Sequence, residues 1–174
     1  MSIYKPNYAM LRLRIMETEK IKNHSSDIDQ MPKGAICPGF DIQLMQTLAV
    51  LKYICGVETQ WSCQGNHINS EPKVAYILLP AGHLFPCDLV ELLDRHKLKI
   101  KLVKDYDFEL KETEKIRYIV RSTWNKNIGN EILTQENNNL LTVLNFWSES
   151  KIRDHLVHIQ NDKYYDDFVR LYRL

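Results

Sequence analysis

Ala9-Met10-Leu11-Arg12-Leu13-Arg14-Ile15-Met16 is the stretch on which the assembly of this chain turns. Leu11, Leu13 and Ile15 alternate with Arg12 and Arg14, the period-two pattern of a strand with one buried and one wet face. Taken as a first strand over residues 9–16, it sets the order of the later elements. Residues 17–40, with Ser25-Ser26-Asp27, Pro32, Gly34, Pro38 and Gly39, read as a long loop. Asp41 opens a helix whose Ile42, Met45, Leu48 and Ala49 share a face, and Gly56 closes it. Residues 57–61 alternate as a second strand, and Val74 to Leu79 is a mostly apolar third, stopped by Pro80. A helix runs from about Pro86 to His96 on Leu89, Leu92 and Leu93. Leu98, Ile100 and Leu102 then alternate with Lys97, Lys99 and Lys101 as a fourth strand, and Ile116 to Arg121 is a fifth. From Glu131 the apolar spacing becomes helical, giving two or three helices.

Strand, helix, strand, strand, helix, strand is the order of a split βαβ, ferredoxin-like unit. The expected fold class is α+β: a ferredoxin-like split βαβ core with an extra strand over residues 1–125, and a helical C-terminal extension over 126–174 packed on that core. Alternating strands with polar outer faces argue against a doubly wound parallel sheet, whose strands are apolar on both sides.

Composition narrows the partners little. The chain has 174 residues, with 23 basic against 22 acidic side chains and a formal net charge of +1, so bulk charge gives no reason to expect nucleic acid or a membrane. The start, Met1-Ser2-Ile3-Tyr4-Lys5-Pro6-Asn7-Tyr8, lacks the basic and apolar regions of a signal peptide, and no apolar run reaches membrane length. A soluble, cytoplasmic protein with no membrane partner is expected. Cys37, Cys55, Cys63 and Cys87 are irregularly spaced and read as free thiols.

The chemistry concentrates in Ser62-Cys63-Gln64-Gly65-Asn66-His67, where a strand stops in hydroxyl, thiol, amide and imidazole groups. These six residues are the candidate ligand-binding edge. In a ferredoxin-like topology the first and second strands run parallel, which brings Cys37, Asp41 and this knot to one end of the sheet. The free amides at the first helix's N-terminus would then complete a polar cup for an anion, although Asp41 as a cap works against it. Cys63 is also a candidate nucleophile, with His67 or His96 as base, against the alternative of a small cysteine closing a strand end. Two sets of zinc ligands are conceivable, Cys63, His67, His83 and Cys87, or Cys37, Cys63, His67 and His96. The spacing matches no standard finger and the topology parts His83 and Cys87 from Cys63, so no metal is assigned. The residues name no cofactor and no reaction.

Arg12 and Arg14, Lys99 and Lys101, and Arg117 and Arg121 are the outward residues of three expected strands and would share one contiguous face. Like charges directly opposed on neighbouring strands destabilise by up to about 1 kcal/mol per pair, so something should neutralise them. The C-terminal acids Glu131, Glu136, Glu149, Asp154, Asp162, Asp166 and Asp167 are an internal answer, if the helical extension lies across the sheet. Phosphate is the external one, and makes these six cations candidate nucleic-acid-binding residues, with Tyr76 as a stacking residue.

Gly56 to His67, followed by Val74 to Leu79 and preceded by a helix opened by Asp41, resembles two groups. One is a set of small uncharacterised bacterial and phage proteins with a Gly-Ile-x-Thr-x-x-Ser-Cys-x-Gly-His element. The other, more distant, is the tRNA wybutosine-synthesis methyltransferase family, with its Ser-Cys-Ser-Gly-Arg element. The match covers about residues 41–80 and rests on Thr59, Ser62, Cys63 and Gly65; Asn66 precedes His67 as an insertion relative to the first group and replaces the arginine of the second. The resemblance implies an RNA- or nucleotide-linked role and gives methyl transfer no support. The function expected is therefore binding of a phosphate-bearing ligand, RNA or nucleotide, at the 62–67 edge and the basic sheet face. The alternative is a non-enzymatic protein-interaction or inhibitor protein carried by a phage or mobile element.

Overall fold

The computed structural model describes residues 6–23, 43–66, 70–106 and 114–156. Among them are helices α1 (Tyr8–Asn23), α2 (Met45–Tyr53), α3 (Cys87–Arg95) and α4 (Asn130–Leu156), and strands β1 (Trp61–Cys63), β2 (Tyr76–Leu78), β3 (Ile100–Tyr106) and β4 (Glu114–Arg121). The class is α+β. The strands form one antiparallel sheet in the order β1-β2-β4-β3.

The first correction falls on the opening stretch. Residues 9–16 lie inside α1, not in a strand. The pattern Leu11, Leu13, Ile15 contains a helical pair as well as an alternation, because positions four apart lie on one helix face. Burial chooses the helical subset: Leu11 and Ile15 are 1% and 2% exposed, whereas Leu13 is 48% exposed. The entry is capped, with the Met10 amide donating to Asn7 Oδ1 at 3.1 Å, and the Asn7 amide donates to the Tyr53 carbonyl at 2.7 Å, tying α1 to the end of α2. Without that strand the expected sheet loses its first member, and β3 pairs with β4 alone among the described residues. One split β-α-β unit remains: β2 and β3 are parallel to each other, joined through α3, with β4 between them.

Other elements sit near their expected places with shifted ends. α2 begins at Met45, and Asp41 lies outside the described residues, as do Cys37 and most of the 17–40 loop. Pairing of the second strand starts where the Gln60 amide donates to the Leu78 carbonyl, so β1 covers 61–63 instead of 57–61. The C-terminal helical run is a single helix of 27 residues as far as Leu156.

The packing is two-layered. Ala75, Ile77 and Leu79 point to one face with Val120 and Ser122, and all five are buried. Leu11, Ile15, Val50, Leu51, Leu89, Leu93, Leu140, Leu144 and Trp147 join the apolar members of this row in one core, so all four helices pack on the same side of the sheet. α4 therefore lies opposite the face on which Lys101 and Arg121 sit, and does not bring its acids across those cations. At the end of α3 the Lys97 amide donates to the Asp94 carbonyl and the Leu98 amide to the Leu93 carbonyl, with Lys97 at φ 60°. This is a Schellman turn with lysine in glycine's usual place, held by the buried pair Leu93 and Leu98. No described helix is long and apolar enough to cross a membrane.

Candidate functional site

The knot meets the entrance of α2, but Gln64, Gly65 and Asn66 are directed at the protein itself. Gln64 is buried, and its Oε1 accepts from the Gln43 amide at 3.0 Å while its Nε2 donates to the Asn66 carbonyl at 3.1 Å. A side chain of the knot thus occupies an amide in the turn before α2, the place where the sequence suggests an anion. Gly65, at φ +83°, lies so close to α4 that an added Cβ would overlap Asn137 Nδ2 and come within 2.5 Å of the Lys73 carbonyl oxygen. Asn66 Nδ2 donates to the Thr134 carbonyl and to Asn138 Oδ1. His67 lies outside the described residues.

The hub of this joint is Asn137, fully buried on α4 and missed by sequence reasoning. Its Nδ2 donates to Asn66 Oδ1 and to the Lys73 carbonyl, both at 2.8 Å. Its Oδ1 accepts from the Ala75 amide at 2.9 Å and from Ser122 Oγ at 2.7 Å. The full bonding capacity of one carboxamide is used to clamp the β1–β2 connection and the end of β4 to a helix. The signal was present: Asn137 falls on the apolar stripe Leu133, Leu140, Leu141, Leu144, where a polar residue must have partners.

Cys55, Cys63 and Cys87 are thiols and not halves of a disulfide. Burial pushes the Cys55 thiol up to about 11, against the lowering influence of Lys151. Cys63 pairs with Tyr76 at the start of β2, while His83 and Cys87 follow its far end. No group of three or more His, Cys, Asp or Glu suited to a metal occurs among the described residues; Cys37 and His67 are not among them. A separate polar contact joins α3 to α4: Asp88 Oδ2 accepts from Trp147 Nε1 at 3.0 Å and meets Lys151 Nζ at 2.8 Å. Burial opposes the Asp88 charge, but hydrogen bonds from Lys151 and Trp147 and the Lys151 charge outweigh it and hold the carboxyl below its ordinary range.

The outer face of the sheet is different in character. Directly opposed residues of an antiparallel ladder point to the same face. The register puts Trp61, Leu78, Ile119 and Lys101 in one outward row, and Cys63, Tyr76 and Arg121 in the next. Trp61 is 61% exposed. Trp124, just past β4, folds back over this face, with Lys101 Nζ 4.2 Å and the Arg121 guanidinium carbon 5.0 Å from its ring centroid. Cation–π attraction of this kind is worth about 0.5–2 kcal/mol and fixes both cations beside an aromatic surface.

Of the six expected cations, the structure therefore keeps Lys101 and Arg121 together. Lys99 is exposed just before β3. Arg117 shares the outward row with Val103 but is buried. Arg12 and Arg14 leave the sheet for α1, and Arg14 lines a groove with Lys52, Tyr53 and Glu58. No family model, no curated protein and no solved structure matches this chain. What the site does rests on its own geometry.

Proposed function

We propose that this protein binds single-stranded RNA on the outer face of its sheet. The observation that supports it is the arrangement of Trp61, Tyr76 and Trp124 on one face with Lys101 and Arg121, on the side away from the helices. Aromatic rings stack on bases whatever their identity, and neighbouring cations answer the phosphates. Trp61 and Tyr76 are diagonal neighbours on adjacent strands, with Cα atoms roughly 7–8 Å apart, a span suited to successive bases. The 62–67 knot enters this reading as support: it anchors β1 to α4 and so fixes the strand that carries Trp61.

Fluorescence anisotropy of a labelled single-stranded oligoribonucleotide, at low and at moderate salt, tests the proposal, with a mononucleotide and a duplex as competitors. Binding that weakens with salt and is lost by about 1–3 kcal/mol in Trp61→Ala is expected. Absence of binding at low salt rejects it, and competition by the mononucleotide at equal affinity narrows the ligand to a nucleotide.

A further inference from the structure

β3 lies at the edge of the sheet, paired with β4 and, among the described residues, with no other strand. Its free backbone groups can be assigned. The Leu79 amide donates to the Tyr118 carbonyl and the Ser122 amide to the Ala75 carbonyl, so Tyr118, Val120 and Ser122 direct their polar groups at β2. The intervening Arg117, Ile119 and Arg121 direct theirs at β3, where Val103 and Lys101 receive the first two. Ile100, Leu102, Lys104 and Tyr106 are left with N–H and C=O groups aimed away from the sheet. The β3–β4 register is continuous from Ile100 to Tyr106 and β3 contains no proline, so neither a bulge nor a missing donor blunts this edge.

The sequence of β3 is complementary to itself in one register. An antiparallel pairing of two copies centred on Val103 sets Ile100 opposite Tyr106, Lys101 opposite Asp105 and Leu102 opposite Lys104. The residues with outward amides then form the hydrogen-bonded pairs, as the ladder requires. Centring one residue later opposes Lys104 to Lys104, and one residue earlier leaves Lys101 against Val103. The Val103 register also makes Leu102, 56% exposed in the single chain, a diagonal neighbour of its own copy.

We propose that this chain forms a two-fold dimer through its β3 edges, centred on Val103, joining two four-stranded sheets into one. The outer faces become continuous across the seam, with Lys101 of each copy beside it. The proposal goes beyond the RNA-binding reading and does not depend on it.

Sedimentation equilibrium of the full chain without nucleic acid is the test. The weight-average mass should rise with concentration from 20.6 kDa toward twice that value. Asp105→Lys places lysine against Lys101 twice and should weaken dimerisation by about tenfold or more. The reversal Lys101→Asp with Asp105→Lys should restore it. Leu102→Pro removes an outward N–H without touching a β4 bond and should also give monomer. Far-UV circular dichroism reports whether each variant is folded; if the proline variant is not, the charge reversal decides alone. A mass fixed at 20.6 kDa up to several hundred micromolar, or a dimer indifferent to Asp105→Lys, overturns the proposal.

Discussion

Replacing Asn137 by leucine tests the joint between the sheet and α4. Leucine keeps asparagine's branching and heavy-atom count with somewhat bulkier ends and suits a helix better, so the change removes the hydrogen bonds without opening a cavity. The Ala75 amide keeps a second acceptor, Ser122 Oγ at 3.2 Å. The Lys73 carbonyl and Asn66 Oδ1 lose the donor that Asn137 supplies, and the Ser122 hydroxyl loses its acceptor. A stranded group costs about 1–3 kcal/mol where it is buried, as the Ser122 hydroxyl is, and less at the part-buried Lys73 carbonyl and Asn66 Oδ1, offset in part by the apolar surface that leucine buries. A net loss of about 2–4 kcal/mol is expected, a large share of the roughly 5–15 kcal/mol typical of whole domains. For a chain of this size that lowers the melting temperature by roughly 4–16 °C. Urea unfolding followed by circular dichroism should show a lower midpoint with an unchanged slope. Asn139→Leu, at an exposed neighbouring position outside the joint, is the control and should cost under about 1 kcal/mol. If Asn137→Leu also costs under about 1 kcal/mol, the account of the joint is wrong.

Gly65→Ala meets both a backbone at φ +83° and the Asn137 carboxamide, and should cost about 3 kcal/mol or more, measured by the same denaturation. Lys97→Gly relieves a side chain at φ 60° in the turn after α3 and should raise stability by about 0.5–1 kcal/mol in thermal unfolding. Because the Asp88 carboxyl is held below its ordinary range, its contribution is present above the unfolded value near about 3.9 and is lost as pH falls through the folded value. Asp88→Asn should therefore cost about 1 kcal/mol at neutral pH, given a half-exposed carboxylate, and the gap from the native protein should close in acid. A gap that widens on acidification would show that the carboxylate is not what Lys151 and Trp147 hold.

β2, β3, β4, α3 and the start of α4 were legible because each depends on short-range signals, such as the alternation in β3, Pro86 before α3 and the apolar stripe of α4, whereas β1 was expected over 57–61 and pairs only from 61 to 63. Residues 9–16 misled because Leu11, Leu13 and Ile15 satisfy two periods at once, and only packing against α2 selects the one that leaves Leu13 in water. That single change moved Arg12 and Arg14 from the sheet to a helix. The knot at 62–67 was visible as a polar cluster, but its partners come from α4, more than 60 residues away in sequence, and no local pattern names them. Trp124 was likewise invisible as a member of the outer face: it lies past the end of β4, and its place is set by Lys101 and Arg121.

The clamp made by Asn137 also dictates an order of events when the chain is made. β1 and β2 form a short ladder, Trp61–Cys63 with Tyr76–Leu78, too small to persist alone in water. Its connection is closed by a side chain that leaves the ribosome some 60 residues later, so a nascent chain ending before α4 carries the hairpin of β1 and β2 open. Synthesis at about 5–20 residues per second leaves that edge unlatched for several seconds. α4 is thus the latch for a sheet whose strands, among the described residues, all precede it, and truncation before Asn130 should yield a chain that collapses without completing the β1 edge.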